Sequence, residues 1–328
     1  MSELNTVVFD LGGVVLSWEP ERAYQQVMPA EQVGEFMDEI RFNEWNHRQD
    51  AGQDWDQAEA ELISRLPHRR DEIQAYRRYF DHTISGMVPG TGALMAELQA
   101  AGIRLLALTN WSADLFRPTK RRFGLLNRFE GIVVSGEECI AKPDPELFQV
   151  VFDRYEVDPV QSVFIDDNDH NCDTASTLGM QAIRFTDADS ARARLVELGL
   201  LGERETVAGP IFHLAKKAKW DKAKESGHYC WSSRRLSYES EGFVHCCVAE
   251  QIPTIRQKYY EDLADDDLVV LRLDSAIAVP VILEDDGTGT RYPHLYGRLS
   301  PSMVAEELPL AAVGAAGPVA QSAPSAGS

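Results

Sequence analysis

From residue 89 onward the chain alternates between helix-patterned and strand-patterned segments, and this alternation restricts its fold more than any other feature. After Pro89-Gly90, apolar spacing predicts helices over 93–100, 112–122, 145–154 and 170–178. Short apolar runs between them predict strands over 103–108, 132–134, 163–165 and 182–185. Strands joined through helices pair in parallel, and a parallel sheet has to be covered on both faces. An earlier run, Thr6-Val7-Val8-Phe9, reads as a further strand buried on both sides. From about residue 22 to 83 the pattern is helical: Val33, Phe36, Met37 and Ile40 fall at helical spacing, as do Trp55, Ala58, Leu62 and Leu66. The expected fold class is α/β, a doubly wound Rossmann-like parallel sheet with an inserted helical cap.

At 328 residues the chain is too long for one ordinary domain. The sheet and cap account for 1–202, with the cap at about 20–87. A polar stretch, 203–209, reads as a linker. Residues 210–310 mix short strands, at 268–273 and 279–283, with at most two or three helices, which indicates a smaller α+β domain. Residues 311–328 are dominated by Ala, Gly, Pro and Ser and read as a disordered tail, because they cannot bury enough apolar area to offset their ordering entropy.

The net charge of −20 argues against nucleic acid and anionic membrane surfaces as partners. It does not exclude a small phosphorylated substrate, for which one local cation suffices. No apolar run approaches membrane-spanning length, and the start, Met1-Ser2-Glu3-Leu4-Asn5, has no basic region followed by an apolar core. The five cysteines, Cys139, Cys172, Cys230, Cys246 and Cys247, fit reduced thiols better than a disulfide framework. A cytoplasmic location is expected.

Polar residues follow the predicted strands at four points: Asp10, Thr109-Asn110, Lys142 in Ala141-Lys142-Pro143-Asp144-Pro145, and Asp166-Asp167. Ligands of open α/β sheets bind beyond the carboxyl ends of the strands, so these groups should converge. The set resembles the haloacid dehalogenase-like superfamily over roughly residues 7–200. Phe9-Asp10-Leu11-Gly12-Gly13-Val14 is similar to its first motif, Leu108-Thr109-Asn110 to the second, Lys142-Pro143 to the third and Phe164-Ile165-Asp166-Asp167-Asn168 to the fourth. The helical insertion corresponds in position to that family's small C1 cap. Asp-Leu-Gly followed late by Asp-Asp-Asn is similar to a bacterial subgroup that includes sugar-1-phosphate phosphatases.

The resemblance implies a phosphatase that acts on a small phosphorylated metabolite through a phosphoaspartyl intermediate on Asp10. Physical reasoning runs parallel to it. A carboxylate of ordinary pKa is ionised at neutral pH and needs no base to attack phosphorus. Lys142 would relieve the repulsion between two anions. Asp10, the Gly12 carbonyl, Asp166 and Asp167 offer the hard oxygen ligands that suit Mg²⁺. Thr109 and the amides that follow it would receive phosphoryl oxygens. Asn171 reads as a group that orients the acids, while Asp166 and Asp167 have the competing use of capping the helix near His170. Trp45, His47, Arg48 and Asp50, at a helix end before Gly52, are candidates to face the substrate.

One departure stands out. Phosphatases of the resembled family carry an acid two residues after the nucleophile, and here that position is Gly12. His47 or His170 would be the histidines to supply a proton. Two alternatives stay open: a 2-haloacid dehalogenase-type hydrolase, which needs no metal, and a non-catalytic scaffold whose C-terminal domain does the binding.

In the second domain, His213, His245, His294 and Tyr296 are the candidate functional residues. Spacing argues against zinc, since no Cys-x-x-Cys or close His pair occurs. Ile211-Phe212-His213, Glu241-Gly242-Phe243-Val244-His245-Cys246 and Tyr292-Pro293-His294-Leu295-Tyr296-Gly297 resemble an uncharacterised family of small bacterial domains. That family's fold is similar to ADP-ribosyltransferases and RNA 2′-phosphotransferases, which implies a nucleotide pocket. The competing reading is a set of half-buried histidines satisfied by the backbone.

Overall fold

The computed structural model describes residues 3–274 and 277–313, and the chain divides into two compact units, one ending at Arg204 and one beginning at Glu205. In the first unit the strands are β1 (Thr6–Phe9), β2 (Leu16–Trp18), β3 (Ile84–Met87), β4 (Arg104–Thr109), β5 (Gly131–Val134), β6 (Ser162–Asp166) and β7 (Gln181–Arg184). Five of them form a parallel sheet in the order β5-β4-β1-β6-β7. Every residue of β1 and β6 is buried, as a sheet covered by helices on both faces requires. Register aligns the strand ends: Phe9 pairs with Ala107 on one side and Ile165 on the other, so Asp10, Thr109 and Asp166 emerge along one edge.

The helices between β2 and β3 form the insertion, the longest being Ala30–Ile40, Phe42–Asp50, Trp55–Arg65 and Arg70–Arg78. Their buried faces meet in an aromatic cluster in which the Tyr76 ring contacts Tyr24, Phe42, Trp45, Trp55 and Phe80. Asp54 caps Trp55–Arg65 by accepting the Gln57 amide at 2.9 Å. The insertion is closed at its base by antiparallel pairing of β2 with β3, Leu16 opposite Met87. Sequence patterning missed this pair, because neither Leu-Ser-Trp nor Ile-Ser-Gly-Met is long or regular enough to carry a period of two. The two strands of the hinge are supported by Thr91, whose hydroxyl donates to the Val14 carbonyl at 2.8 Å.

The second unit has strands β8 (Phe212–Lys216), β9 (Val244–His245), β10 (Leu268–Leu273), β11 (Val281–Asp285), β12 (Arg291–Leu295) and β13 (Val304–Leu308). They form two antiparallel three-stranded sheets, β13-β10-β8 and β11-β12-β9. Phe212 and Cys247 link the two by exchanging both backbone hydrogen bonds at 2.8 Å. The described α-helices within 210–310 are Lys217–Ser226, Ile252–Tyr260 and the single turn Tyr238–Glu241, within the two or three expected, and a further turn, Leu310–Val313, follows. The last of these corrects the expectation of disorder at 311–313, while 314–328 lie outside the described residues. Trp220, on Lys217–Ser226, is 1% exposed and packs on Tyr229.

Trp45 was a candidate substrate residue, and the structure corrects that. Its ring is 1% exposed, packed edge-on to Trp55, with Nε1 donating to the Ala58 carbonyl at 3.4 Å. Trp45→Ala should therefore destabilise the first unit by about 3–5 kcal/mol, the usual cost of a large cavity in a core. Urea denaturation measures this, and unchanged stability with a raised KM would return Trp45 to the substrate.

Candidate active site

Beyond the carboxyl ends of β1, β4 and β6, one ammonium group organises the site. Lys142 is 1% exposed, and its Nζ has three acceptors: Asp166 Oδ2 at 2.6 Å, the Leu108 carbonyl at 2.8 Å and Asp10 Oδ1 at 3.0 Å. Burial pulls the ammonium down, but Asp10 and Asp166 outweigh it and hold it above its ordinary value. Asn110 fixes the backbone that carries this lysine. Its Nδ2 donates to the Lys142 carbonyl at 2.9 Å, while its Oδ1 accepts the Lys142 N–H at 2.8 Å. Asn110 thus positions Lys142, a role its place after β4 did not reveal.

Asp10 accepts from the Leu11 N–H at 2.7 Å as well as from Lys142. Burial pushes its carboxyl up to about 7; Lys142 opposes the rise, and Asp166 and Asp167 add to it. The expectation of an ordinary pKa is corrected accordingly. The charge of Asp10 depends on nearby cations, because burial in low dielectric disfavours an anion.

Asp166 is fully buried and saturated by donors. Asn171 Nδ2 lies 3.1 and 3.0 Å from its two oxygens, the Asn168 N–H 2.8 Å from Oδ1, and Lys142 holds Oδ2. Asp167 is exposed as a residue, but its carboxyl group is turned toward the other two acids, and this partial desolvation, followed by the Asp166 charge, raises its pKa. The capping use expected of these acids falls to Asn168, which accepts the His170 amide at 2.9 Å and starts the helix Asp169–Thr177. Gly13 explains how Asp167 comes so near. Its φ is +76°, and a Cβ there would stand 2.4 Å from Asp167 Oδ2.

Oxygens of Asp10, Asp166 and Asp167 all lie within 4.8 Å of one another, a set of hard donors that fits a small divalent cation such as Mg²⁺. Thr109 is 1% exposed, and its Oγ1 has no hydrogen-bond partner among the described residues. A buried hydroxyl without a partner costs stability unless a ligand supplies one. Ser135 braces the loop that follows, its Oγ accepting the Trp111 N–H at 2.9 Å.

Of the substrate candidates on Phe42–Asp50, His47 and Arg48 are exposed, and Arg48 lies 3.9 Å from Glu61. The same helix turns Asn46, Gln49 and Asp50 inward. His170 is exposed as well. Gly12 has open space around the position of a Cβ.

The second unit gathers a separate cluster. His294 and His245 stand opposite each other on β12 and β9, with Nε2 and Nδ1 3.2 Å apart. His294 Nδ1 lies 2.6 Å from Glu284 Oε2, which also accepts the Tyr296 hydroxyl at 2.6 Å. Phe243 stacks on His294 at 4.2 Å. His213 is not part of this group. It is 2% exposed, with Nδ1 2.7 Å from the His245 carbonyl and Nε2 3.1 Å from the Tyr229 hydroxyl. Burial holds its pKa down to about 4, so it is a neutral core histidine. All five cysteines are free, and no described helix is long and apolar enough to cross a membrane.

A family model described as haloacid dehalogenase-like hydrolase matches residues 4–179, and one described as a protein of unknown function (DUF952) matches 214–307. The sesquiterpene phosphatase astK of Aspergillus oryzae is 26% identical over 183 residues, 55% of this chain and 89% of that protein. The (S)-2-haloacid dehalogenase 1 of a Pseudomonas strain is 29% identical over 124 residues, 38% of this chain and 52% of that protein. Among solved structures, an HAD family enzyme from Bacteroides thetaiotaomicron, in its magnesium complex, is 22% identical, covering 60% of this chain and 99% of that one at a TM-score of 0.47.

Lys142→Met should destabilise the first unit by about 3–5 kcal/mol, because it leaves Asp10 and Asp166 buried without their counter-charge. Denaturant titration at neutral pH tests it; a loss below about 1 kcal/mol would mean the carboxylates do not depend on the lysine.

Proposed function

Because the chain belongs to the haloacid dehalogenase-like hydrolase family, we propose that its first unit is a Mg²⁺-dependent phosphatase acting on a small phosphorylated metabolite, with Asp10 as nucleophile. The observation that carries this reading is the gathering of Asp10, Asp166 and Asp167 within 4.8 Å around a buried lysine. Phosphoryl transfer brings an anion to an anionic nucleophile, so catalysis rests on positioned positive charge. A bound Mg²⁺ would supply charge neutralisation between Asp10 and the phosphoryl oxygens. Asp10, Asp167 and the Gly12 carbonyl would hold it, while the hydrogen bonds to Asp166 make that residue mainly the anchor of Lys142.

The chain's own groups perform the rest. Asp10 attacks phosphorus and forms the acyl phosphate. Lys142 keeps the attacking oxygen aimed and lowers the repulsion of the incoming dianion. The Thr109 hydroxyl donates to a phosphoryl oxygen and gains the partner it lacks. The helical insertion serves as a C1-type cap that shields this chemistry and selects the substrate, in which a sugar phosphate is the favoured class. Likeness to a dehalogenase makes halide release the competing activity. That route does not need Asp167 to hold a cation, and its signature would be turnover without metal.

Asp10→Asn should reduce phosphate release at least about 10³-fold while moving the thermal midpoint little, and EDTA should abolish wild-type turnover until Mg²⁺ is restored. A panel of phosphorylated metabolites with malachite green detection gives the readout. Undiminished activity in the variant, or metal-independent chloride release from 2-haloacids, would refute the assignment.

For the second unit we propose a nucleotide-binding role on the face that carries His245, His294 and Tyr296, supported by the convergence of His294 and Tyr296 on Glu284 and by the contact of His245 with His294. NAD or ADP-ribose should raise the unfolding temperature of the full chain through preferential binding to the native state. No shift at millimolar ligand would leave this unit a structural or interaction module.

A further inference from the structure

Ester cleavage by Asp10 needs a proton for the leaving oxygen, and the groups nearest the nucleophile do not provide one. Gly12 has no side chain. The three hydrogens of the Lys142 ammonium are taken by Asp10, Asp166 and the Leu108 carbonyl. His47 and His170 are exposed.

One acid reaches the site from the insertion. Asp50 ends the helix Phe42–Asp50 and is buried, with Oδ2 accepting the Asn46 Nδ2–H at 2.8 Å. The backbone N–H of Ser112, in the loop that leaves β4 just after Thr109, is directed at the same carboxyl group. Two further contacts seat this corner on the sheet edge. Trp55 Nε1 donates to Ser112 Oγ at 3.1 Å, and Gly52, at φ +92°, lies so close to Cys139 that a Cβ would meet its Sγ at 2.8 Å. Charges that act on Asp50 include Asp10 and Lys142 at the sheet edge, and Asp50 in turn acts on the Tyr76 hydroxyl of the insertion.

Resting on the phosphatase reading, we propose that Asp50 is the catalytic acid and base of this enzyme, taking the part that position 12 leaves empty. In the first half-reaction the Asp10 Oδ–P bond forms and the ester P–O bond breaks with its electron pair on the leaving oxygen, which takes the proton of the Asp50 carboxyl group. In the second, water attacks phosphorus, the acyl phosphate P–O bond returns its pair to Asp10, and the Asp50 carboxylate takes the proton of the water. Phosphate leaves, and both aspartates return to their starting states. Burial pushes the Asp50 carboxyl up to about 7, with the Ser112 N–H and Lys142 opposing and Asp10 adding to the rise. A group so placed gives and accepts protons at neutral pH.

The test is Asp50→Asn in the full chain with Mg²⁺, on an alkyl phosphate and on 4-nitrophenyl phosphate, whose phenolate leaves without help. Turnover of the alkyl ester should fall about 10²–10⁴-fold, the range for a lost general acid. The aryl ester should keep its first step, giving a burst of nitrophenolate and a phosphorylated enzyme that hydrolyses slowly. The alkyl-to-aryl ratio of first-step rates, measured in single turnover, is independent of how much variant folds and of the hydrolysis step that both esters share. An unchanged ratio, with Asp10→Asn inactive on both esters, overturns the role of Asp50 alone. Wild-type activity that survives Asp10→Asn overturns the phosphatase reading instead.

Discussion

The first unit is organised around a cation buried where a protein can least afford to leave it alone. Lys142 sits at the edge of a parallel sheet, without solvent, and is tolerable there only because two carboxylates and a main-chain carbonyl take its three hydrogens. That requirement fixes the strand order, since the three acceptors arise at the ends of β1, β4 and β6, which are neighbours in the sheet. It also accounts for Asn110, whose paired amide bonds hold the lysine's backbone, and for Asn171, which holds the opposite side of Asp166. Breaking such a pair costs more than forming it gains, because the orphaned charges stay buried. The network is therefore better understood as a device for placing charge than as a source of stability.

The same network sets the reactivity of Asp10. Taken from water and placed beside two other acids, the carboxylate is held as an anion chiefly by the ammonium 3.0 Å away. A hard cation among the three carboxylates would shift the balance further toward the charged form. The proposed nucleophile and metal site would be one arrangement seen from two sides, with Gly13 giving Asp167 the space to approach.

Much of this was legible in the sequence, and the reasons are physical. Strands buried on both faces announce themselves as unbroken apolar runs, so β1, β4, β5, β6 and β7 were visible within a residue or two at each end. Asp10, Thr109 and Asp166 stood out because each closes or follows such a run, and Lys142 because Lys142-Pro143 resembles the family's third motif. The β2–β3 pair was not legible, because three or four residues holding a glycine and a serine have no period. Nor was the sense of the helix Phe42–Asp50: its polar residues point both ways, and only the packing of Trp45 on Tyr76 shows that Asn46 and Asp50 turn inward while His47 and Arg48 turn out. The single available hint was the spacing of Asn46 and Asp50, four apart, which is the distance for a side-chain hydrogen bond along a helix. His213 failed for the opposite reason. Its motif is distinctive, but the ring is spent on Tyr229 and a carbonyl.

An acid mounted on the insertion, rather than two residues beyond the nucleophile, changes what the insertion is for. A carboxyl group at position 12 would travel with Asp10 and be present whether or not anything covered the site. Asp50 is mounted on the insertion, whose corner is seated by Gly52 against Cys139 and by the bond from Trp55 to Ser112. If Asp50 is the acid proposed, proton transfer would be coupled to coverage, and an uncovered site, open to water, would lack the group that completes hydrolysis. The aromatic cluster around Tyr76 acquires a second purpose as well, because the rigidity of that core decides how well the carboxyl group is aimed. The position of the proposed proton donor would thus be inherited from the packing of six rings, Tyr76 and the five it contacts.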